Sequence, residues 1–337
     1  MKNKTFIIAE LSANHNQDYD IAIKTIEAVK ECGADAVKIQ TYSPDTMTIN
    51  CHNEHFLIDH GTLWDGRYLY ELYQDAYTPW EWQKGLKEEA ENLGLVFFST
   101  PFDLTAVDFL ESLGIPLYKI ASFEITDLNL IEYVASKGKP IIISTGIATL
   151  ADIDDALTVC RNAGNNQITL LKCTSAYPAP VEDANLLTIP NLKQTFNVDV
   201  GLSDHSFGSV LPVAAIALGA KVIEKHFILD KKIGGPDAGF SMEPNDFKEM
   251  VESIRNAEKA LGYVEYKLTD KQKINRKFSR SLFVVKDIKA GESLTEANIR
   301  IIRPGDGMHP KYYKQVLGKK ARSDIKLGTP LQWDLIG

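Results

Sequence analysis

Ala36-Val37-Lys38-Ile39-Gln40-Thr41-Tyr42 is a short, β-branched, mostly apolar run with a lysine in its interior. It reads as a strand buried on both faces, the kind found in parallel sheets covered by helices. Comparable runs recur at 6–12, 96–102, 117–122, 140–146, 168–174, 198–205 and 221–229. Amphipathic segments such as 21–32, 151–163 and 246–261, with apolar positions recurring at three and four, lie between them. Eight strands alternating with helices over about 250 residues predict an α/β fold of the (β/α)8 barrel type, the TIM barrel. An open doubly wound sheet would normally carry a Gly-rich phosphate turn after its first strand. That place holds Glu10-Leu11-Ser12-Ala13-Asn14-His15-Asn16 instead.

The 337 residues exceed the usual size of one domain, so a large core with a small accessory unit is expected. The predicted division is a barrel over 1–262, a polar, Lys-rich linker over 263–278 and a compact, mostly β unit over 279–337. One connection, 43–78, is too long for an ordinary loop. Its Trp64, Tyr68, Tyr70 and Tyr73 argue against disorder.

Hydrophobic residues at 44% and charged residues at 24% are ordinary for a soluble globular enzyme. Cys32, Cys51, Cys160 and Cys173 are widely spaced, without a CxxC pair or a leader-like segment, which points to a reducing cytoplasm. Apolar stretches fall short of the roughly 20 residues that span a bilayer. The net charge of −8 hides an asymmetry: residues 271–337 hold 15 Lys/Arg against 6 Asp/Glu, and the remainder 22 against 39. A basic tail can bind nucleic acid, dock on an acidic body or close over an anionic substrate. Without a recognisable reading motif, nucleic acid is the weakest of these.

Catalytic groups of such barrels sit at the C-terminal strand ends, and here those ends are rich in polar residues. They include Glu10, Lys38, Gln40, Thr100, Lys119, Ser122, Glu124, Ser144, Ser203, His205, Glu224 and His226. His205 and His226 close adjacent strands and are suited to a divalent metal with open coordination positions. Lys38 and Lys119 occupy interior strand positions, where an ammonium is costly unless an anion meets it. With Thr100, Ser122, Ser144 and Ser203 they form a cradle for a small phosphorylated carboxylate. They could equally pair with Glu10, Glu124 or Glu224, and a Schiff-base lysine is a rival reading. Glu10 and Glu124 are the acid–base candidates.

The ordered segments Ala9-Glu10, Asn14-His15-Asn16, Val37-Lys38-Ile39-Gln40-Thr41, Ser99-Thr100-Pro101-Phe102-Asp103, Tyr118-Lys119-Ile120-Ala121-Ser122, Ser144-Thr145-Gly146, Tyr177-Pro178, Gly201-Leu202-Ser203-Asp204-His205, Glu224-Lys225-His226-Phe227 and Gly235-Pro236-Asp237 resemble the sialic acid synthases. In that family a catalytic barrel precedes an antifreeze-like (SAF) domain, and the resemblance covers essentially the whole chain. It implies phosphoenolpyruvate on Lys38, Thr100, Lys119, Ser122, Ser144 and Ser203, and a metal on His205 and His226. The metal is usually manganese, with magnesium or cobalt as alternatives. It implies sugar contacts from Gln40, Tyr177 and Asp237, and Arg303 of the SAF domain reaching the partner's barrel in a domain-swapped homodimer. Ser175, where many members carry Asn, departs from the pattern.

The loop segments Gly61-Thr62-Leu63-Trp64-Asp65-Gly66, Leu69-Tyr70, Leu72-Tyr73 and Tyr77-Thr78-Pro79-Trp80-Glu81-Trp82 look like the pseudaminic acid branch, whose sugar is a 6-deoxy diacetamido hexose. Aromatic walls can pack against its methyl and acetamido groups. The N-acetylneuraminate and legionaminate branches, with the same chemistry, are the alternative. A carbohydrate-binding module without catalysis is a different class, at odds with the intact polar set.

Overall fold

The computed structural model describes residues 4–59 and 61–337. The chain divides into two compact units, Met1–Gly262 and Tyr263–Gly337. In the first, β1 (Phe6–Glu10), β2 (Ala36–Thr41), β3 (Val96–Pro101), β4 (Tyr118–Ile120), β5 (Ile141–Ser144), β6 (Ile168–Cys173), β7 (Asp199–Asp204) and β8 (Val222–His226) form a closed barrel in sequence order. Each strand pairs in parallel with the next, and β1 closes on β8 from Phe6↔Val222 to Glu10↔His226. All eight expected strands are present, several shorter than the apolar runs. The fourth run stops at Ile120, and Ser122 and Glu124 sit on the 3-10 turn that follows.

Strand periodicity sorts the side chains. Ile7, Ala9, Val37, Ile39 and Phe97 join the large core between barrel and helices. The alternate residues Ile8, Ala36, Phe98, Ile142, Leu171 and Val222 form a separate apolar cluster, the plug of the barrel interior. The next inward position along several strands is polar: Glu10 follows Ile8, Lys38 follows Ala36, Thr100 follows Phe98 and Glu224 follows Val222. Gly201 permits the close β7–β8 approach, since a Cβ there would lie 2.3 Å from the Val222 carbonyl oxygen.

The described part of the long second connection has secondary structure of its own. It contains the helix Pro44–Met47, the 3-10 turn Glu54–Phe56 and the helix Leu69–Ala76. Ser43 and Thr46 form a capping box before Pro44, which has no N–H to satisfy at the first helical position.

The second unit holds an antiparallel pair, β9 (Ser281–Val284) and β10 (Ile299–Ile302), with Ile299 opposite Val284. Leu282, Val284, Ile288, Leu294, Ile299 and Leu331 are buried in its own core. The segment read as a polar linker is partly helical, Asp270–Asn275 followed by the 3-10 turn Arg276–Phe278. Its start is fixed by a capping box in which Thr269 and Gln272 satisfy each other's backbone N–H groups. Among the described residues no helix is long and apolar enough to cross a membrane, and all four cysteines are free.

Candidate active site

Four buried ionic groups from four strands occupy the layer above the apolar plug. Lys38 Nζ is ion-paired with Glu10 Oε2 and lies 3.9 Å from Glu224 Oε2. Lys119 Nζ lies 3.4 Å from Glu224 Oε1. Lys38 also donates to Thr100 Oγ1 at 3.2 Å, and Ser203 Oγ donates to Glu224 Oε1 at 3.2 Å. All four ionic side chains are at most 5% exposed. Burial raises the Glu224 carboxyl, but the two lysines outweigh it and hold it below the ordinary carboxylate range. Burial lowers the Lys119 ammonium, and its Glu224 partner only partly restores it. Lys38 therefore pairs with Glu10 and, at longer range, Glu224, and Lys119 pairs with Glu224; among the described residues Glu124 forms no such ion pair, though the Lys119 charge still acts on it.

The cluster is not saturated. Ser144 Oγ is buried without a hydrogen-bond partner, and Glu224 Oε2 has only the Lys38 ammonium at 3.9 Å, whereas Glu10 Oε2 is taken by Lys38. Ser122 Oγ accepts from the Gly146 N–H at 3.0 Å. A Cβ at Gly146 would lie 2.7 Å from Ser122 Oγ and 2.1 Å from Ser175 Oγ, so glycine keeps this edge open. The six residues assigned to an anion thus all sit in or beside this layer, and Ser175 borders it.

Above lies a second polar layer. Gln40 Nε2 donates to Glu10 Oε1 at 3.0 Å and to Ser12 Oγ at 2.8 Å, and Ser12 Oγ donates to Asp237 Oδ2. Asp237 Oδ2 is 3.9 Å from His226 Nδ1. The His205 and His226 rings have centroids 5.4 Å apart. The His205 Nδ1–H donates to the Thr174 carbonyl at 3.0 Å, leaving Nε2 for another partner. His226 Nδ1 is buried without a hydrogen-bond partner, and burial holds the ring neutral. A ring fixed by a backbone carbonyl beside a neutral ring with a free lone pair suits a divalent transition metal. Among the described residues no group of three or more His, Cys, Asp or Glu could hold an ion, so water or substrate would complete the shell. Tyr177 packs between His205 and Phe240, at centroid distances of 4.5 and 5.0 Å.

A cavity of about 450 Å³ opens over these groups. Ser12, Gln40, Glu124, His226 and Asp237 supply its polar side. Met47, Leu57, Ile58, Leu69, Leu72 and Tyr73, all from the second connection, supply an apolar wall. Burial raises the Glu124 carboxyl to about 7, and Glu124 Oε2 has no hydrogen-bond partner. Of the loop aromatics read as a substrate wall, only Trp64 and Tyr73 reach the cavity. Trp80 Nε1 donates to the Tyr42 carbonyl, Tyr70 Oη to Asp45, and Trp82 packs edge-on to His15 and Tyr19. These three pin the loop, so the part of the lining that this connection supplies is mainly aliphatic, while Tyr42, Phe102, Phe123, Tyr177 and Phe240 line the cavity from other elements.

Sequence reading missed Ser12, Phe240 and the aliphatic wall, and it treated Glu224 only as an ion partner for the lysines. The Glu224 signal was there, two residues before His226 on the same strand face. Not every polar strand end belongs to the site. Lys225 and Asp204 form their own buried ion pair at 2.6 Å. Arg303 is exposed in the second unit, just past β10.

Fold and site together define a (β/α)8-barrel protein with an ionic cluster and a histidine pair at the C-terminal mouth, followed by a small β unit. The chain belongs to the NeuB family, whose model matches residues 25–266, and an SAF domain matches residues 279–337. It is 54% identical to the pseudaminic acid synthase of Helicobacter pylori, over 97% of this chain and 96% of that one. It is 51% identical to the pseudaminic acid synthase of Campylobacter jejuni, over 98% and 96%. Among solved structures, the N-acetylneuraminic acid synthetase of Leptospira borgpetersenii in complex with citrate aligns with a TM-score of 0.72 at 30% identity, covering 81% of this chain and 90% of that one.

His15 is a structural histidine of the site's first loop. It is fully buried, with Nε2 3.2 Å from Thr78 Oγ1 and Nδ1 accepting from the Gln17 N–H at 3.1 Å. Burial lowers its pKa from 6.5 to about 4. Between those values the unfolded chain binds a proton that the folded chain does not, so stability from this residue is complete above pH 6.5 and lost as pH falls through about 4. Urea unfolding followed across that window is expected to lose roughly 3 kcal/mol to this residue, at about 1.4 kcal/mol per pH unit. His15→Gln should remove that component of the pH dependence, and an unchanged profile in the variant would contradict the assignment.

Proposed function

We propose that this protein condenses phosphoenolpyruvate with 2,4-diacetamido-2,4,6-trideoxy-L-altrose to form pseudaminic acid and inorganic phosphate. The observation that carries the reading is one barrel mouth joining a buried lysine–carboxylate cluster to a histidine pair under a cavity with an aliphatic wall. Identity of 50% or more to three pseudaminic acid synthases, over almost the whole chain, supports it.

In this reading Lys38 and Lys119 meet the phosphate and carboxylate of phosphoenolpyruvate, with Thr100, Ser122, Ser144 and Ser203 completing the cradle. Preorganised charge of this kind stabilises the reacting anion without reorganisation during the reaction. Gln40, Asp237 and Tyr177 face the open-chain sugar. The methylene carbon of phosphoenolpyruvate attacks the aldehyde carbon, forming the C–C bond, and the aldehyde oxygen takes a proton to become a hydroxyl. Water adds to the cationic C2 and gives up a proton. The C2–O bond to phosphate then breaks as the C2 hydroxyl gives its proton to the departing phosphate, leaving a ketone and inorganic phosphate. Glu124 is the better proton handler, because its carboxyl titrates near 7 and has an oxygen without a partner, whereas Glu10 is tied to Lys38 and Gln40. A divalent metal, manganese by family resemblance, held by His205 and His226 would supply Lewis acidity toward the aldehyde oxygen.

The working form is a homodimer in the cytoplasm, with Arg303 of one chain serving the barrel of the other. Phe123, Ile147, Leu150, Val181, Phe207 and Val210, on the connections after β4 to β7, expose large apolar surface that a second copy would cover. Exposed large apolar side chains on successive connections of one barrel rim suit an interaction site. The four free cysteines are in keeping with a reducing compartment.

A phosphate-release assay with the diacetamido sugar and N-acetylmannosamine side by side tests the reading. Release is expected with the first, at least about 100-fold slower with the second, and lost on chelation until manganese is restored. Preference for the mannosamine sugar would overturn the substrate assignment, and full turnover by metal-free enzyme would remove the metal.

The aliphatic wall gives a second test. A hydroxyl at sugar C6 would be desolvated against Met47 and Leu69, while a methyl group gains by burial. Met47→Gln and Leu69→Gln should each lower kcat/KM for the 6-deoxy sugar about tenfold and narrow its advantage over the 6-hydroxy analogue. Unchanged selectivity in both variants would take the wall out of recognition.

A further inference from the structure

We propose that Ser12 is a positioning residue that joins Gln40 to Asp237 and so fixes the carboxylate presented to the sugar. The inference rests on the reading above that Gln40 and Asp237 face that substrate.

Ser12 stands two residues past the end of β1 at Glu10, lines the cavity and is 2% exposed. Its hydroxyl accepts from Gln40 Nε2 at 2.8 Å and donates to Asp237 Oδ2 at 2.5 Å. The second Gln40 N–H goes to Glu10 Oε1 at 3.0 Å, so the amide nitrogen is fully committed. Donation therefore runs one way, from amide to hydroxyl to carboxylate, across 225 residues of sequence between Ser12 and Asp237. The chain begins at the glutamate paired with Lys38 and ends 3.9 Å from the unpartnered nitrogen of His226. It spans the two layers in which phosphoenolpyruvate and sugar would meet.

The backbone makes a structural explanation insufficient. Ser12 has φ +45°, in the left-handed region where a side chain is strained and glycine is at ease. A residue needed only to turn the chain here would be more stable as glycine. The serine retains strain together with a hydroxyl that joins Gln40 to Asp237, which the Ala13 N–H, the turn's other donor to that carboxylate, does not do, and strained non-glycine residues concentrate at functional sites.

Two substitutions separate hydroxyl from backbone. Ser12→Gly removes the hydroxyl and relieves the strain, whereas Ser12→Ala removes the hydroxyl and keeps it. Full-length Ser12→Gly is expected to melt at or above the wild-type temperature and Ser12→Ala at or below it. Both should raise KM for the sugar about tenfold or more, the range for a hydrogen bond to a charged group, with KM for phosphoenolpyruvate within about twofold. In an Asp237→Asn background the added loss from Ser12→Gly should largely vanish, because both act through one contact. An unchanged sugar KM in Ser12→Gly, or losses that simply add to those of Asp237→Asn, would overturn the inference. If the wild type prefers another sugar, the same comparison is read with that sugar, and only the substrate assignment falls. If the wild type releases no phosphate with any sugar, the functional reading falls and takes this inference with it.

Discussion

Two ammonium groups and two carboxylates share the centre of the barrel, nearly out of reach of water, and the rest of the molecule is arranged around that cost. Taking an ion out of water costs several kcal/mol even after relaxation, and attraction between partners offsets this only when the geometry is good. The barrel provides such geometry because Glu10, Lys38, Lys119 and Glu224 each stand on a strand rather than a loop. The apolar plug of Ile8, Ala36, Phe98, Ile142, Leu171 and Val222 closes the bore beneath them. The cluster is balanced in charge, yet Glu224 Oε2 has only a long contact to Lys38 and the Ser144 hydroxyl lacks a partner. An arriving phosphate and carboxylate would be met by the lysine N–H groups and the Ser144 hydroxyl, which can donate, and not by the carboxylate oxygens, which repel an anion.

Much of this was legible in the sequence. A parallel barrel needs buried strands, and the eight apolar runs announce them, with the missing Gly-rich turn after the first setting the barrel apart from an open doubly wound sheet. The ionic and hydroxyl residues stand out since they interrupt runs that otherwise exclude them. What stayed hidden depends on tertiary context. The aromatics between residues 64 and 82 look alike in sequence, yet Trp80 and Trp82 anchor the connection while Met47 and Leu57, inconspicuous in sequence, face the cavity. The left-handed backbone of Ser12 carries no residue-type signal, because serine is not the usual choice there. The helix Asp270–Asn275 was written in the capping box of Thr269 and Gln272, but its lysine-rich surface reads first as a linker.

The site divides its labour by depth. The ionic layer is built on strands and hardly depends on which sugar is used. The layer above mixes strand ends with the long second connection, which give it a polar side from Ser12, Gln40, Glu124, His226 and Asp237 and an aliphatic side from Met47, Leu57, Ile58, Leu69 and Leu72. The chain Gln40–Ser12–Asp237 ties the two depths together. Variation in the second connection can then alter the sugar without disturbing the ionic layer, in line with barrels that change specificity through their loops.

The central claim is that the buried lysines exist to receive phosphoenolpyruvate. Calorimetric titration of phosphoenolpyruvate without sugar, into the wild type and into Lys119→Met, tests this most directly. The wild type should bind, and the variant should bind at least about 100-fold more weakly while keeping a cooperative thermal transition. Equal affinity in the two proteins would contradict the account and make the ionic cluster a structural device.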